Sequence, residues 1–296
     1  MKASLPLLAF ASEGGGSTRE IDIMHHLGNS RVLELPYWKA PYYVEVQLPQ
    51  FAPVHLGPVL IDFSITKHLV FLFLAALLVG LIFIHTARAV RRANAEGRPA
   101  KGFAGTMEAI ALFVRNEVIL PNVGPHGEGY APYLLTVFFF ILTCNLLGLL
   151  PWGSTATGNI AVTGAMALIS FLVIEISGMR SLGLSGYMHT IFYLPPGLPP
   201  VLKPIMLAIM TPVEIMSKLS KPFALAVRLF ANMTAGHVVV LALIGLTFFF
   251  QSYAVGAGAS LLATGIMMLE LFVAFLQAFV FTLLTSVFIG LIRAEH

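Results

Sequence analysis

The stretch from residue 202 to residue 250 admits few folds. It is a run of roughly 49 largely apolar residues, about 74 Å as a helix, against a hydrocarbon core near 30 Å. Pro204, Pro212 and Pro222 can kink or split it, but no polar turn long enough to reverse the chain lies between Lys221 and Phe250. The spacing predicts one long, bent and steeply tilted helix. Arg228 stands inside it, with about twenty apolar residues beyond, too far from that end to snorkel to the interface. A guanidinium at bilayer depth costs about 2.5 to 3.5 kcal/mol on insertion scales, so this charge reads as functional.

The rest of the chain agrees with a membrane setting. Hydrophobic residues make up 57% and charged residues 10%, where soluble domains carry roughly 25% charged residues. Apolar runs near twenty residues select helices over a β-barrel, whose strands alternate in short segments. The expected architecture is an all-α integral membrane protein of about five or six helices. Spans are expected at 69–89, 131–150, 160–179, 202–250 and 260–292, the last two being long, steeply tilted helices. Residues 103–120 read as an amphipathic interfacial helix: Phe103, Met107, Ile110, Val114 and Val118 recur at helical spacing among Glu108, Arg115, Asn116 and Glu117.

Charge placement orients these elements. Arg88, Arg91, Arg92, Arg98 and Lys101 flank the first span, so that flank is expected in the cytoplasm and residues 1–66 form an extracytoplasmic segment. Residues 67–292 then form one helical membrane domain, and residues 293–296, beginning at Arg293, a cytoplasmic tail. The uncharged loops PWGSTATGN and QSYAVGAGA suit the outer side. Residues 1–12 faintly resemble a signal peptide, with the apolar region at the short limit, and read rather as an ordinary flexible N-terminus. LPYWKAPYYVEVQLPQF reads as extended and interfacial, and Pro195, Pro196, Pro199 and Pro200 as a helix-breaking region.

Nothing in the sequence has the spacing of a phosphate loop, a nucleophile elbow or a zinc site, and no cofactor or metal is expected. His25 and His26 alone make weak metal ligands. The net charge of +3 is too small to point to nucleic acid. Cys144, the single cysteine, lies in an apolar run and reads as a packing residue.

The intramembrane polar set of the last two helices is Glu214, Arg228, Asn232, His237, Glu270 and Gln277. Arg228 and Asn232, four apart, share a helix face, and Glu270, Ala274 and Gln277 share another. Joined by a short loop, the two helices run antiparallel. Counting back from it puts His237 level with Glu270, and Arg228 level with Gln277. Histidine titrates near neutrality and a buried glutamate can be brought there, so that pair suits proton relay. Arginine stays charged, so it can attract a carboxylate and block proton passage without carrying the proton. Small residues around Arg228 allow another helix close approach, and its anion is expected on another subunit.

Residues 220–237, SKPFALAVRLFANMTAGH, and 269–284, LELFVAFLQAFVFTLL, resemble the a subunits of F-type rotary ATP synthases, the proton-channel stators beside the c-ring. The likeness covers nearly everything after about residue 50. It implies a non-catalytic subunit, with nucleotide chemistry in separate subunits. Its partners would be c-ring proteolipids, a peripheral stalk of subunit b type and the lipid bilayer, in a bacterial inner membrane rather than a mitochondrial one. It implies that Arg228 faces each c-ring carboxylate and separates two half-channels. Asn232, His237, Glu270 and Gln277 would line the outer half-channel, and Glu214 with Ser220 the inner one. Many bacterial members carry the acid and the histidine in the opposite positions. Gly148, in CNLLGLLP, replaces an acid found in many relatives.

Blander readings stand beside these. Glu214 and Lys218, four apart, can form an interfacial ion pair, and Asn232 and Gln277 can be interhelical hydrogen-bond glue. Glu175 and Arg180 read as boundary residues. The rival function is a proton-coupled secondary transporter, whose folds pair broken helices in two repeated halves. Only the C-terminal half here has long, polar-marked helices.

Overall fold

The computed structural model describes residues 32–36, 43–51, 54–56, 59–61, 64–125, 127–150, 153, 155–192, 199 and 202–294. The signal-like residues 1–12, the His25–His26 pair and most of the 193–201 proline region lie outside them. Two short antiparallel hairpins open the described chain. Strand β1 (Val32–Pro36) pairs with β2 (Tyr43–Gln47), and β3 (Val54–Leu56) with β4 (Val59–Ile61). Among the described residues, all regular elements after them are helical, and five of the helices are long and apolar enough to cross a membrane.

Helix α1 (Lys67–Ala95) touches the bundle along one narrow stripe. Its fully buried Ala75 packs with Cys144 and Ala156, while Phe73, Leu77 and Leu81 are exposed. Helix α2 (Gly102–Phe113) passes into a π-helical turn, Val114–Ile119, and then the short α3 (Leu120–Val123). Pro121 has no N–H to donate back to the preceding turn, so regular α-helical bonding fails there and a wider turn is accommodated. The segment expected on the membrane surface is two-faced in its second half, where Asn116 and Glu117 are exposed. Val114, Val118, Ile119 and Val123 belong to the main core.

Helix α4 (Ala131–Gly148) is the central post, burying Leu134, Phe138, Phe139, Ile141 and Leu142. Helix α5 (Ile160–Ile191) starts at an N-cap where Asn159 Oδ1 accepts from the Ala161 amide at 2.9 Å. It presents Thr163, Ala167, Ser170, Ile174 and Ser177 to the interior, at the spacing that keeps one face inward. It extends well past the expected end at residue 179, because a break at Gly183 (φ 70°, ψ 168°) lets helix resume after a sharp change of direction.

Helices α6 (Lys203–Phe250) and α7 (Tyr253–Ala294) are antiparallel and pack along each other. At 48 residues, α6 keeps both Pro212 and Pro222 inside it. The turn between them is only Gln251, in the left-handed conformation (φ 48°, ψ 30°), and Ser252. Helix α7 therefore begins seven residues before the expected 260, since YAVGAGA holds no helix-stopping polar group. Its far end is clamped: Arg293 donates to the carbonyls of Val123 (3.1 Å) and Pro125 (2.9 Å). Gly290 fits against the Asn122 carbonyl, where a side chain would collide.

Candidate functional site

The face of α6 that holds Arg228 is free. Leu225, Ala226, Leu229 and Met233 turn inward, whereas Phe223, Ala224, Val227, Arg228, Ala231, Asn232 and Ala235 are exposed. Among the described residues no carboxylate pairs with Arg228. A charge on an apolar helix surface, edged by alanines, is an incomplete site unless another molecule completes it.

Toward the α6–α7 turn, α6 meets α7 through Gly236 and Glu270. A side chain on Gly236 would run into the Glu270 carboxylate, whose Cδ lies 2.7 Å from that position. Glycine at 236 therefore lets the carboxylate lie against the α6 backbone, one residue from His237. Glu270 Oε1 and the Thr234 hydroxyl are buried with no hydrogen-bond partner among the described residues. Buried polar atoms of this kind are met by water or an exchangeable ligand in native proteins.

His237 is held on both sides. Its Nδ1 lies 2.9 Å from the Met233 carbonyl, and its Nε2 lies 2.8 Å from the Gly148 carbonyl and 3.1 Å from Thr155 Oγ1. A doubly protonated ring satisfies both carbonyls and a neutral ring only one. Gly148 contributes through its backbone and its lack of a side chain, because Thr155 fills the space where a Cβ would sit (2.6 Å from Thr155 Cβ). An acid at 148 would displace Thr155.

Three residues that sequence reasoning passed over complete this region. Asn145, wholly buried, donates through Nδ2 to the Ala274 carbonyl at 3.2 Å. It accepts from the buried Thr157 hydroxyl at 2.7 Å. Thr155 and Thr157 lie in a loop expected at the outer surface, yet both are buried and draw it inward onto α4, α5 and α6. The signal was present in the sequence as Asn145, an amide inside an apolar span.

The remaining expected residues separate. Gln277 is buried, 4% exposed, and faces the bundle core, whereas Asn232 is exposed on the Arg228 face. From the Gly236–Glu270 contact, eight residues back along α6 reach Arg228 and seven forward along α7 reach Gln277. Those are rises of about 12 and about 10 Å, so the two stand at comparable levels. Glu214 lies about 21 Å below Arg228 along α6. It borders a cavity of about 120 Å³ with Glu175, Lys218, Lys221, Phe171 and Phe288. Lys218 pairs with Glu175 at 3.7 Å and not with Glu214, as their spacing alone had allowed. The exposed Ser220 bonds locally to the Ser217 carbonyl at 2.9 Å. No group of metal ligands occurs among the described residues.

Comparison with known proteins bears on this geometry. A family model described as ATP synthase A chain matches residues 69–290. "ATP synthase subunit a 2" of Chlorobaculum tepidum is 45% identical over 275 residues, covering 92% of this chain and 73% of that protein. "ATP synthase subunit a" of Pelodictyon phaeoclathratiforme is 41% identical over 291 residues (97% and 80%). "ATP synthase subunit a" of Myxococcus xanthus is 47% identical over 234 residues (78% and 73%).

Proposed function

Because the chain belongs to the ATP synthase A chain family, we propose that Arg228 is its stator arginine, set between two half-channels. The family establishes the broader function: the chain is a membrane-embedded, non-catalytic subunit of a proton-translocating F-type ATP synthase, whose nucleotide chemistry belongs to other subunits. Its partners are other subunits of the membrane sector.

One observation carries the finer reading. Arg228 is a cation on an exposed, small-residue face of α6, with no acidic partner among the described residues. A carboxylate on a neighbouring, moving proteolipid ring completes it. Arriving protonated, the ring carboxylate loses its proton to the inner path as the guanidinium draws it into the ionised form. Past Arg228 it meets the outer path and is protonated again. Arginine does not deprotonate, so a proton cannot leak straight between the paths. Each proton falling through 100 mV supplies about 2.3 kcal/mol to bias the rotation.

The outer path consists of His237 and Glu270, with Asn232 and Gln277 nearer the level of Arg228; the unpartnered Glu270 oxygen favours this assignment. Glu214, with Ser220 nearby, serves the inner path, supported by the cavity beside Glu214. Basic residues at the end of α1 favour a cytoplasmic position for that end, an outer N-terminal segment and a cytoplasmic C-terminus in a bacterial plasma membrane. The exposed side of α1 is left to lipid and to a peripheral stalk subunit of the b type.

The test is Arg228→Ala in inverted membrane vesicles. ATP-driven proton pumping should be abolished while the complex stays assembled, and normal pumping would overturn the reading.

A further inference from the structure

The cavity beside Glu214 holds two carboxylates and two ammonium groups. Glu175 comes from α5, and Glu214, Lys218 and Lys221 from α6; α7 contributes Phe288, Leu291 and Ile292, none of which titrates. Lys218 is four residues after Glu214 on one helix and would ordinarily be its partner. It is instead held by α5. Its Nζ lies 3.7 Å from Glu175 Oε2, donates to Thr190 Oγ1 at 3.2 Å and stands 4.5 Å from the centre of the Tyr187 ring. The Tyr187 hydroxyl donates to the same Glu175 oxygen. The paired side chains are only 12% and 11% exposed, where such contacts are screened far less than at a surface.

The break in α5 makes this arrangement possible. Twelve residues separate Glu175 from Tyr187, about 18 Å along a straight helix. At Gly183 the backbone takes φ 70°, and the following segment turns back toward the preceding turns. Gly178 borders this turn: a Cβ there would collide with Ile292 Cδ1 of α7 at 2.7 Å, while Tyr187 Cδ2, at 3.4 Å, would be in ordinary contact.

We propose that Glu175, Tyr187 and Thr190 are positioning residues that sequester the Lys218 ammonium and so leave Glu214 free to accept and release protons in this cavity. The inference rests on the reading of Glu214 as a group of the inner path. Among the described residues Glu214 has no ion-pair partner, while Glu175 is committed to Lys218 and Tyr187. If Lys218 were released, its ammonium would reach Glu214. An opposite charge within about 4 to 6 Å favours the ionised carboxylate roughly tenfold or more. A carboxylate locked as the anion takes up protons too seldom to pass them on.

The test compares Glu175→Gln with the double variant Glu175→Gln/Lys218→Met in the assembled complex. ATP-driven pumping in inverted vesicles is normalised to the amount of complex. The single variant should pump about tenfold more slowly, and the double variant within about twofold of the unaltered protein. Normal pumping by the single variant overturns the proposal, as does a double variant that is no faster than the single. If Glu175→Gln does not accumulate, the double variant decides: near-normal pumping supports sequestration, and slow pumping or failure to assemble overturns it. Glu214→Gln separates this from the underlying reading. Normal pumping there removes Glu214 from the inner path, whereas slow Glu214→Gln beside normal Glu175→Gln overturns the positioning cluster alone.

Discussion

The carboxylate of Glu270 occupies the space that a side chain on Gly236 would need. One missing methyl on α6 thus sets where the acid of α7 sits, one residue from His237. Gly236→Ala makes this testable, because alanine in a helix interior is by itself favourable by about 1 kcal/mol over glycine. The variant is expected to assemble normally and yet pump protons several-fold more slowly, as the carboxylate is pushed away from the α6 backbone. Unchanged pumping, measured by quenching of a pH-sensitive dye in inverted vesicles, would show that the close fit is irrelevant to transport.

His237 is oriented by the Gly148 carbonyl and the Thr155 hydroxyl, neither of them on its own helix. Thr155→Val keeps the shape and removes the hydroxyl, at a cost in stability of about 1 kcal/mol. Complex yield should hardly change. Pumping should fall by a few-fold, because the ring keeps its carbonyl contacts but loses a partner that can both donate and accept. A rate equal to that of the unaltered protein would assign Thr155 a packing role only.

Much of this was legible beforehand, for physical reasons. Apolar runs of membrane-crossing length can only become helices, and the absence of a polar turn between Lys221 and Phe250 left α6 no way to fold back. His237 and Glu270 were matched by counting from a short turn, an operation that antiparallel helices permit. What escaped notice was non-local or local in an unusual way. Glu175 and Lys218 are far apart in sequence, and Tyr187 and Thr190 join them only through the break at Gly183, a glycine that in the sequence looks like any other. PWGSTATGN looks like a surface loop because it is short and uncharged. Thr155 and Thr157 are nonetheless buried, since Asn145 and His237 offer them partners. The early start of α7 went unseen because an alanine- and glycine-rich segment marks neither a helix nor its end.

Asn145 ties three segments at once, donating to the Ala274 carbonyl and accepting from Thr157. Asn145→Leu removes the donor and leaves the Thr157 hydroxyl buried without that partner. An orphaned buried group of this kind costs about 1 to 3 kcal/mol. The expected outcome is less complex in the membrane and a lower thermal midpoint of the purified assembly. The pumping rate per assembled complex should fall less than in Thr155→Val. An Asn145→Leu complex as stable as the unaltered one would show that the tie is dispensable.

Gly183 should tolerate substitution poorly, though nothing crowds the place where its side chain would be. The cost lies in the backbone, because φ 70° with ψ 168° is a region open to glycine and nearly closed to other residues. Gly183→Ala faces two choices: keep the break at a cost of about 1 to 3 kcal/mol, or straighten α5. Straightening carries Tyr187 and Thr190 away from Glu175 and Lys218. A cysteine pair at positions 175 and 187 distinguishes these outcomes, since the two can be bridged only if the chain folds back. Cross-linking should be efficient with glycine at 183 and weaker with alanine. Efficient cross-linking in both would mean that the turn is imposed by packing around Tyr187 rather than by the glycine.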